Sequence, residues 1–309
     1  MHKDFDIIVA GGGIAGLTAA LTAARLGRRV QVLTGDVLGG HLLSIEKIEG
    51  FPGFADGVAG YELCPITQGQ AAEAGAGFEM TEVTGLQADG AGWIAATAAE
   101  NYAAWAVIIA TGTSLAELGI PGEAELRGHG VSHCASCDAP LLMDKVVAVV
   151  GGGDSAAQEA LTLAGAASRV VILCREDALS AKAVYRTRIE AQPNIEVRYR
   201  TLAGKILGDG VVTGIATRGI DNEALVELAC EGVFVYIGHQ PNSQFLNGLL
   251  DLDEDRRIPV DLDLRTEAAG IFAAGTVRAG SAGQAASSAG DGTAAAINAD
   301  AYLDSGIWR

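Results

Sequence analysis

The feature that most constrains this chain is a glycine-rich turn that occurs twice, each time between a strand-like run and a helix-like run. The first reads Gly11-Gly-Gly-Ile-Ala-Gly16 and follows Ile7-Ile-Val-Ala10. The second reads Gly151-Gly-Gly-Asp-Ser-Ala156 and follows Val146-Val-Ala-Val-Val150. In this context the first glycine permits a tight turn. The second lets a pyrophosphate approach the backbone, and the third lets the helix pack close to the strand. N–H groups at the start of the following helix lack intrahelical partners and suit phosphate oxygens. Gly11, Gly13 and Gly16 therefore mark one expected dinucleotide site. Gly151, Gly153 and Ala156 mark a second, since alanine is tolerated at the third position. The rival reading of either is a tight strand–helix turn with no ligand.

A chain of 309 residues is long for one hydrophobic core, and two domains are expected. Strands are expected at 5–10, 30–34 and 106–110 in a first unit, and at 146–150, 170–174, 195–199 and 232–237 in a second. Helices are expected at 14–26 and 155–166, with a late strand at 271–274 and an alanine-rich helix from about 285 to 303. Short β-branched runs alternating with alanine-rich helices imply the α/β class, with parallel sheets covered by helices. The segment after Pro241 does not extend the second unit and reads as a return to the first. The expected architecture is two Rossmann-like, three-layer dinucleotide-binding domains, the second inserted into the first. The first would comprise residues 1–115 and 242–309, and the insertion residues 116–241. The crossings, near Gly112–Leu118 and Gly238–Asn242, are marked by glycine or proline as hinges are.

Acidic residues number 38 and basic residues 21, a net charge of −17. Such a charge repels nucleic acid and anionic lipid, which excludes both as partners. No apolar run is long enough to cross a bilayer. The lead Met1-His-Lys-Asp-Phe-Asp6 leaves no room for a signal peptide, so a cytoplasmic protein is expected. Cys64, Cys174 and Cys230 are scattered and read as small buried hydrophobes of a reducing compartment.

The other two cysteines stand in Cys134-Ala-Ser-Cys137-Asp138, between the two glycine turns. Two intervening residues let the sulfurs approach to about 2 Å in a tight turn. One thiolate attacks a partner disulfide and the other resolves the mixed disulfide. A carboxyl beside a thiolate is pushed toward its protonated form, so Asp138 can pass a proton to a leaving thiol. The rival reading of Asp138 is a helix N-cap. The rival readings of the cysteines are two inert core residues, or zinc with His129 and His133 as further ligands. A structural zinc site usually draws on two separated segments, and no second Cys-x-x-Cys exists. The expectation is a redox dithiol and no metal. With two dinucleotide turns on the same chain, that implies a redox enzyme.

The ends of the second strands decide ribose chemistry. After Leu33 come Thr34-Gly35, with no acid at the expected place. After Cys174 come Arg175-Glu176-Asp177. A carboxylate there accepts hydrogen bonds from a ribose 2′-OH and repels a 2′-phosphate, while arginines do the reverse. Arg175 and Glu176 therefore argue in opposite directions, unless both are solvated loop charges.

Over nearly its whole length the chain resembles the low-molecular-weight thioredoxin reductases. The resemblance rests on Gly11–Gly16, Thr34-Gly35, Gly39-Gly40-His41-Leu42, Gly50-Phe-Pro-Gly53, Ile108-Ile-Ala-Thr-Gly112 and Cys134–Asp138. It continues through Gly151–Ala156, Tyr236-Ile-Gly-His-Gln-Pro-Asn242, Ile271-Phe-Ala-Ala-Gly275 and Gln284–Gly292. The resemblance implies an FAD domain interrupted by an NAD(P)H domain that carries the dithiol, and a homodimer. It implies electrons passing from NADH or NADPH to flavin, then to the Cys134–Cys137 disulfide, then to a thioredoxin-like protein or a small-molecule disulfide. By the family pattern Cys137 faces the flavin, Cys134 attacks the substrate and Asp138 is the acid–base group. Thr34, Gly40, His41, Thr111, Gly112, Gly275, Thr276, Gln284 and Ala285 would join the first glycine turn around FAD. Arg175 and Glu176 would join the second around the nicotinamide nucleotide. The helix starting near Gln284 would stabilise negative charge on reduced flavin through its N–H groups and dipole, with Ala285 and Ala286 small enough for close approach. The resemblance also implies a large rotation of the inserted domain, which suits the two hinges.

The chain departs from the family pattern at cofactor positions. In the arginine-rich signature of the NADPH domain, Cys174 stands for a histidine, Glu176 for the second arginine and Ser180 for the later one, while Arg175 survives. Two cations are lost and an anion gained, so weak NADPH use is expected, with either a preference for NADH or little use of any nicotinamide. Thr276 replaces the aspartate expected on the ribityl chain, Gly283 an arginine, His41 a glutamine and Gly50 an asparagine. Three functions are compatible with these residues. The first is a flavin-dependent disulfide reductase. The second is a dithiol oxidase that hands electrons to oxygen with little nicotinamide use, and the third a redox-sensing binder without turnover. The damaged 2′-phosphate site favours the oxidase, which needs no nicotinamide, the intact second glycine turn favours the reductase, and the intact Cys134, Cys137 and Asp138 disfavour the sensor.

Overall fold

The computed structural model describes residues 3–308. Met1, His2 and Arg309, at the ends of the expected domains and in the short N-terminal lead, lie outside the described residues. Two compact units are present. One comprises the chain up to Ser114 and everything from Gln240 on, and the other is Leu115–His239.

The first unit opens with β1 (Phe5–Ala10), α1 (Ile14–Arg25) and β2 (Val30–Leu33). Then come α2 (Gly60–Glu73), β3 (Gly77–Glu79), β4 (Gly85–Asp89), β5 (Gly92–Ala96) and β6 (Asn101–Ile109). The sheet order is β3-β2-β1-β6-β5-β4. Strands β3, β2, β1 and β6 run parallel, whereas β4 and β5 form an antiparallel hairpin on the far edge. Ile7, Ile8 and Val9 have no exposed surface. A strand covered on both faces reads as such a continuous apolar run rather than an alternation.

The chain leaves this unit along β7 (Thr113–Leu115). The second unit contains β8 (Val131–Ser132), α3 (Ala135–Asp138), β9 (Val146–Val150), α4 (Asp154–Ala164), β10 (Arg169–Leu173), α5 (Ala183–Glu190) and β11 (Ile195–Arg198). It continues with β12 (Thr201–Gly208), β13 (Val212–Gly219), β14 (Asn222–Ala229) and β15 (Gly232–Val235). Strands β11-β10-β9-β15-β8 make an all-parallel sheet, and β12-β13-β14 a separate antiparallel one. The return crossing, β16 (His239–Pro241), pairs with β7. Back in the first unit, β17 (Ile271–Ala273) adds to β6 in parallel, and α6 (Ala285–Ser305) covers the sheet beside α1.

The strands and helices of both glycine units match the sequence expectation to within a few residues. Elements outside that expectation include α5 and three larger pieces: α2, the β4–β5 hairpin and the β12–β14 sheet. Helix α2 carries Pro65 within it and three residues of low helix propensity, Gly60, Gly69 and Thr67, which mask its pattern. The β4–β5 hairpin and the β12–β14 sheet are antiparallel additions to an otherwise parallel design. Their strands are short or studded with Gly204, Gly208, Gly214 and Gly219, and β14 is largely exposed, so neither shows a clean apolar period.

Close helix packing organises the first unit. Ala19, Ala20 and Ala23 of α1 and Ala295, Ala296 and Ala299 of α6 belong to one buried cluster. The Thr18 hydroxyl of α1 donates to the Ala289 carbonyl of α6 at 2.9 Å. A Cβ on Gly292 would lie 2.0 Å from the Ala15 carbonyl oxygen and 2.4 Å from the Thr18 hydroxyl. The chain end is closed by Trp308, whose ring meets Phe272 and Tyr302 edge-on, each at 5.0 Å.

Among the described residues no helix is long and apolar enough to cross a membrane. Three cysteines lie in the cores: Cys64, Cys174 and Cys230, exposed by 0, 1 and 2%. Burial pushes the Cys64 thiol up to about 11 and, with the nearby Glu231 charge, the Cys230 thiol up to about 12. Burial raises Cys174 as well.

Gly292→Ala is expected to destabilise the fold by about 1–3 kcal/mol through overpacking, despite alanine's better helix propensity. Gly69→Ala, on the exposed side of α2 with nothing within 4 Å of the added carbon, is expected to stabilise by about 0.5–1 kcal/mol. Thermal melts of the two variants decide; a Gly292→Ala protein that melts with the parent contradicts the packing account. After reduction, iodoacetamide at about pH 8 is expected to label two thiols in the native protein and all five in denaturant, counted by intact mass. A third native label would show that a core cysteine is accessible.

Candidate active site

The residues of the first glycine turn meet their separate demands. Gly11 has φ +114°, and a Cβ there would lie 2.3 Å from the Ala110 carbonyl oxygen. A Cβ on Gly16 would lie 2.0 Å from the Gly11 carbonyl oxygen, so α1 sits against the turn at the limit of contact. Gly13 behaves in the opposite way, since a Cβ there would meet nothing within 4 Å. The tight positions build the turn, and the open one leaves backbone bare for a ligand. Gly13 is the N-cap of α1 with no side-chain cap, and the first helical turn carries no acid. The N–H groups of that turn therefore face the open side with a favourable dipole for an anion.

Several other expected residues of this unit lie against the turn or against one another. Gly39 donates its N–H to the Gly12 carbonyl at 2.8 Å, and a Cβ on Gly40 would lie 3.6 Å from the Gly13 Cα. His41 follows in the short turn Gly40–Ser44. Thr34, at the end of β2, packs against Gly12 and donates its hydroxyl to the Gly35 carbonyl at 2.9 Å. Thr111 donates to the Asn242 carbonyl at 2.7 Å, and the Asn242 amide returns a bond to the Thr111 carbonyl at 2.9 Å. A Cβ on Gly112 would lie 3.6 Å from the Thr276 hydroxyl, and one on Gly275 2.9 Å from the Ala15 Cβ. The Thr276 hydroxyl is 3.4 Å from that of Thr113, and its carbonyl accepts from Arg257. Gln284 is the N-cap of α6, whose first turn, with Ala285, also carries no acid.

Sequence reasoning noted that Thr276 lacks a carboxylate but missed Asp291. The Asp291 carboxylate accepts the Gly275 N–H at 3.1 Å and grips the Arg278 guanidinium at 2.7 and 2.8 Å. A carboxylate thus reaches this loop from α6 instead of from the strand end. Its sequence signal is the Gly290-Asp-Gly292 step in mid-helix.

The second turn repeats the first. Gly151 has φ +143°, and a Cβ there would lie 2.1 Å from the Tyr236 carbonyl oxygen. A Cβ on Gly153 would meet only the Ser180 hydroxyl, at 3.9 Å. Ala156 is fully buried, so this turn accepts a methyl where the first does not. Cys174 fills the place that Thr34 holds in the first unit, with its sulfur 2.7 Å from a Cβ added to Gly152. Charges around this turn are paired off. Arg175 Nε lies 2.8 Å from Glu176, both exposed. Lys182 lies 2.8 Å from Asp154, in the first turn of α4. Burial pushes the Asp154 carboxyl up, but hydrogen bonds from the Lys182 side chain and backbone outweigh this and hold it below its usual range. Arg200 is shared between Asp177, at 2.7 Å, and Asp221.

Cys134 and Cys137 form a disulfide, their Cα atoms 5.3 Å apart. Cys134 is the half-buried N-cap of α3, and the Cys137 N–H points at its sulfur at 3.3 Å. Cys137 is the exposed partner. Asp138 stands where the chain passes into the short turn Ala139–Leu142, but its side chain makes no capping bond. Of the zinc candidates, His133 places Nδ1 2.9 Å from the Val235 carbonyl and His129 is turned to the Arg127 carbonyl at 3.3 Å. No group of three metal-ligating side chains converges among the described residues. Leu141 and Met143, just past the dithiol, are 73% and 63% exposed.

Known proteins are similar to this chain in both sequence and fold. The pyridine nucleotide-disulphide oxidoreductase family model matches residues 5–292. Thioredoxin reductase of Treponema pallidum is 38% identical over 307 residues, covering 98% of this chain and 99% of that protein. The solved thioredoxin reductase of Lactococcus lactis has a TM-score of 0.93 at 32% identity, covering 97% of this chain and 99% of that one. That of T. acidophilum has a TM-score of 0.91 at 34% identity, covering 99% and 100%. With two dinucleotide turns and a redox-active type of disulfide already in place, these likenesses establish that the chain belongs to the pyridine nucleotide-disulphide oxidoreductase family.

Proposed function

We propose that this chain is an FAD-dependent disulfide reductase of the thioredoxin reductase type, with thioredoxin or a thioredoxin-like protein as its substrate and NADH as its preferred donor. The observation that carries the reading is the Cys134–Cys137 disulfide at the head of α3, in the same unit as an intact second glycine turn. The relatives named above are reductases, which lends the oxidase reading no support.

The first unit fits FAD on its own geometry. The open space at Gly13, the acid-free first turn of α1 and the adjoining Gly40 suit a pyrophosphate. Thr111, Gly112, Gly275 and Thr276 adjoin that turn, with Asp291 as the nearby carboxylate. His41, Gln284 and Ala285 complete the proposed set. Bound there, FAD would supply the two-electron relay between nicotinamide and the dithiol.

The dithiol does the protein-facing work. Once reduced, the Cys134 thiolate is stabilised by the Cys137 N–H. It attacks one sulfur of the substrate disulfide, forming a Cys134–substrate bond and releasing a substrate thiolate. Asp138, one residue past the dithiol and making no capping bond, is the group assigned by the family resemblance to hand that thiolate a proton. Cys137 then attacks the Cys134 sulfur, re-forming the internal disulfide and releasing the second substrate thiol. Exposed Leu141 and Met143 beside the dithiol offer an apolar landing for a protein partner.

Glu176 decides the nucleotide. It pairs with Arg175, the cation that would meet a 2′-phosphate, and its own charge repels one. Ser180 donates to the Gly152 carbonyl at 3.2 Å instead of supplying a second cation. Each missing charge-assisted hydrogen bond is worth roughly 1.5–3 kcal/mol. A homodimer and a cytoplasmic setting complete the reading, the latter in keeping with three unpaired core cysteines.

Thioredoxin reduction by NADH is the direct assay. Cys137→Ser is expected to trap a mixed disulfide through Cys134, while Cys134→Ser traps none; non-reducing gels and mass spectrometry distinguish them, and the reverse pattern would overturn the assigned order of the thiols. Under anaerobic conditions NADH is expected to bleach the flavin absorption at least about tenfold more efficiently than NADPH. Glu176→Arg with Ser180→Arg should reverse the order, and a parent protein that prefers NADPH sinks the assignment.

A further inference from the structure

The thiol chemistry above leaves a carboxylate unexplained. Glu159 projects from α4 toward the redox turn, where its Oε2 accepts the Ala135 N–H at 3.2 Å. Ala135 follows Cys134 directly and is itself fully buried. The same oxygen lies 3.5 Å from the hydroxyl of Tyr236, a side chain only 5% exposed. Three elements therefore meet at one oxygen: the head of α3, the body of α4 and the chain just beyond β15. A neutral hydroxyl or amide side chain would also accept the Ala135 bond, without the cost of half-burying a carboxylate. What a carboxylate adds is a fixed negative charge.

We propose that Glu159 is a positioning residue for the dithiol, anchoring the redox turn through the Ala135 N–H and holding a negative charge beside Cys134 that makes its thiol less acidic. The proposal rests on the reading of Cys134 as the attacking thiol. Tyr236 moderates that charge by sharing its hydroxyl. Burial, and then the charge of Glu159, push the Tyr236 hydroxyl pKa up, as expected for a phenol that stays protonated and donates to the carboxylate. Further titratable groups around the turn include Asp138 on the turn itself and His133 at the end of β8, with Glu117 near His133. The Cys137 N–H pulls the Cys134 sulfur toward the thiolate form, and Glu159 pulls it back. A more basic thiolate is the stronger nucleophile and the poorer leaving group. The pair is thereby biased to give its electrons outward to a partner disulfide.

The test is the rate of iodoacetamide alkylation of Cys134 as a function of pH, in the full-length protein on a Cys137→Ser background, with the modified site read by mass spectrometry. Glu159→Gln keeps an acceptor for the Ala135 N–H and removes the charge, so the midpoint is expected to fall by about one pH unit. Tyr236→Phe removes the shared hydroxyl and leaves the charge, so the midpoint is expected to rise. Opposite shifts from two neighbouring substitutions are not what general loosening of the turn produces. A Glu159→Gln midpoint equal to the parent's overturns the proposal. Should that variant misfold by circular dichroism, Tyr236→Phe decides alone, an upward shift supporting the proposal and an unmoved midpoint overturning it. The titration needs no partner protein. If Cys134 is not the attacking thiol, that shows separately, as absence of the trapped mixed disulfide.

Discussion

The close approach of backbone to backbone at the glycine turns is the constraint on which the rest depends. In the first unit the Gly11 carbonyl nearly touches the place where a Gly16 Cβ would be, and the Ala15 carbonyl does the same at Gly292. Two helices, α1 and α6, are thus set against one strand end and against each other with only glycine, alanine and the Thr18 hydroxyl at their closest contacts. Their N-termini then flank the same edge of the sheet. A methyl at either glycine would push a helix outward and displace the amides that make the edge anion-binding. Packing and function here share one cause, the absence of Cβ atoms at particular positions. The large number of alanines in the buried cluster follows from the same requirement.

The parallel frame was readable because its signals are local. A buried run, a glycine turn and a helix follow one another within about twenty-five residues, and each has its own pattern. The positions proposed for the site of the first unit carry local signals for the same reason, since most sit at strand ends. What was hidden depends on contacts between distant segments. Asp291 is an acid in mid-helix, and the glycines that flank it mark the place without saying that it reaches the Gly275 amide. Glu159 looks like an ordinary helix-surface acid until α4 is laid against α3. The antiparallel β12–β14 sheet escaped because glycines interrupt its strands and its outer face is solvated, so burial leaves little imprint on the sequence.

Charge separates two turns that geometry makes alike. Gly11 and Gly151 each back onto a strand-end carbonyl, Gly13 and Gly153 each face open space, and Thr34 and Cys174 occupy matching places. Yet the first turn of α1 has no acid, whereas that of α4 begins with Asp154. Left alone, that carboxylate would oppose a phosphate at the helix N-terminus. Lys182 removes the conflict by pairing with it, just as Glu176 cancels Arg175 and two aspartates cancel Arg200. The second turn is therefore close to neutral around its rim. Its glycine positions leave backbone bare, while Lys182, Arg175 and Arg200 are each paired with an acid, and the proposed preference for NADH rests on that pairing.

The same economy of charge runs to the dithiol. In a chain with a net charge of −17, adding an acid beside a reactive thiol is easy, and the specificity lies in where it is held. The Ala135 amide and the Tyr236 hydroxyl hold Glu159 at a defined place, so its field acts on Cys134 in each molecule alike rather than being averaged by a mobile side chain. A surface acid at similar range would be screened by water and salt, while a half-buried one keeps most of its effect. Two opposed influences on one sulfur, an amide that favours the thiolate and a carboxylate that disfavours it, set an intermediate acidity that either group alone would miss.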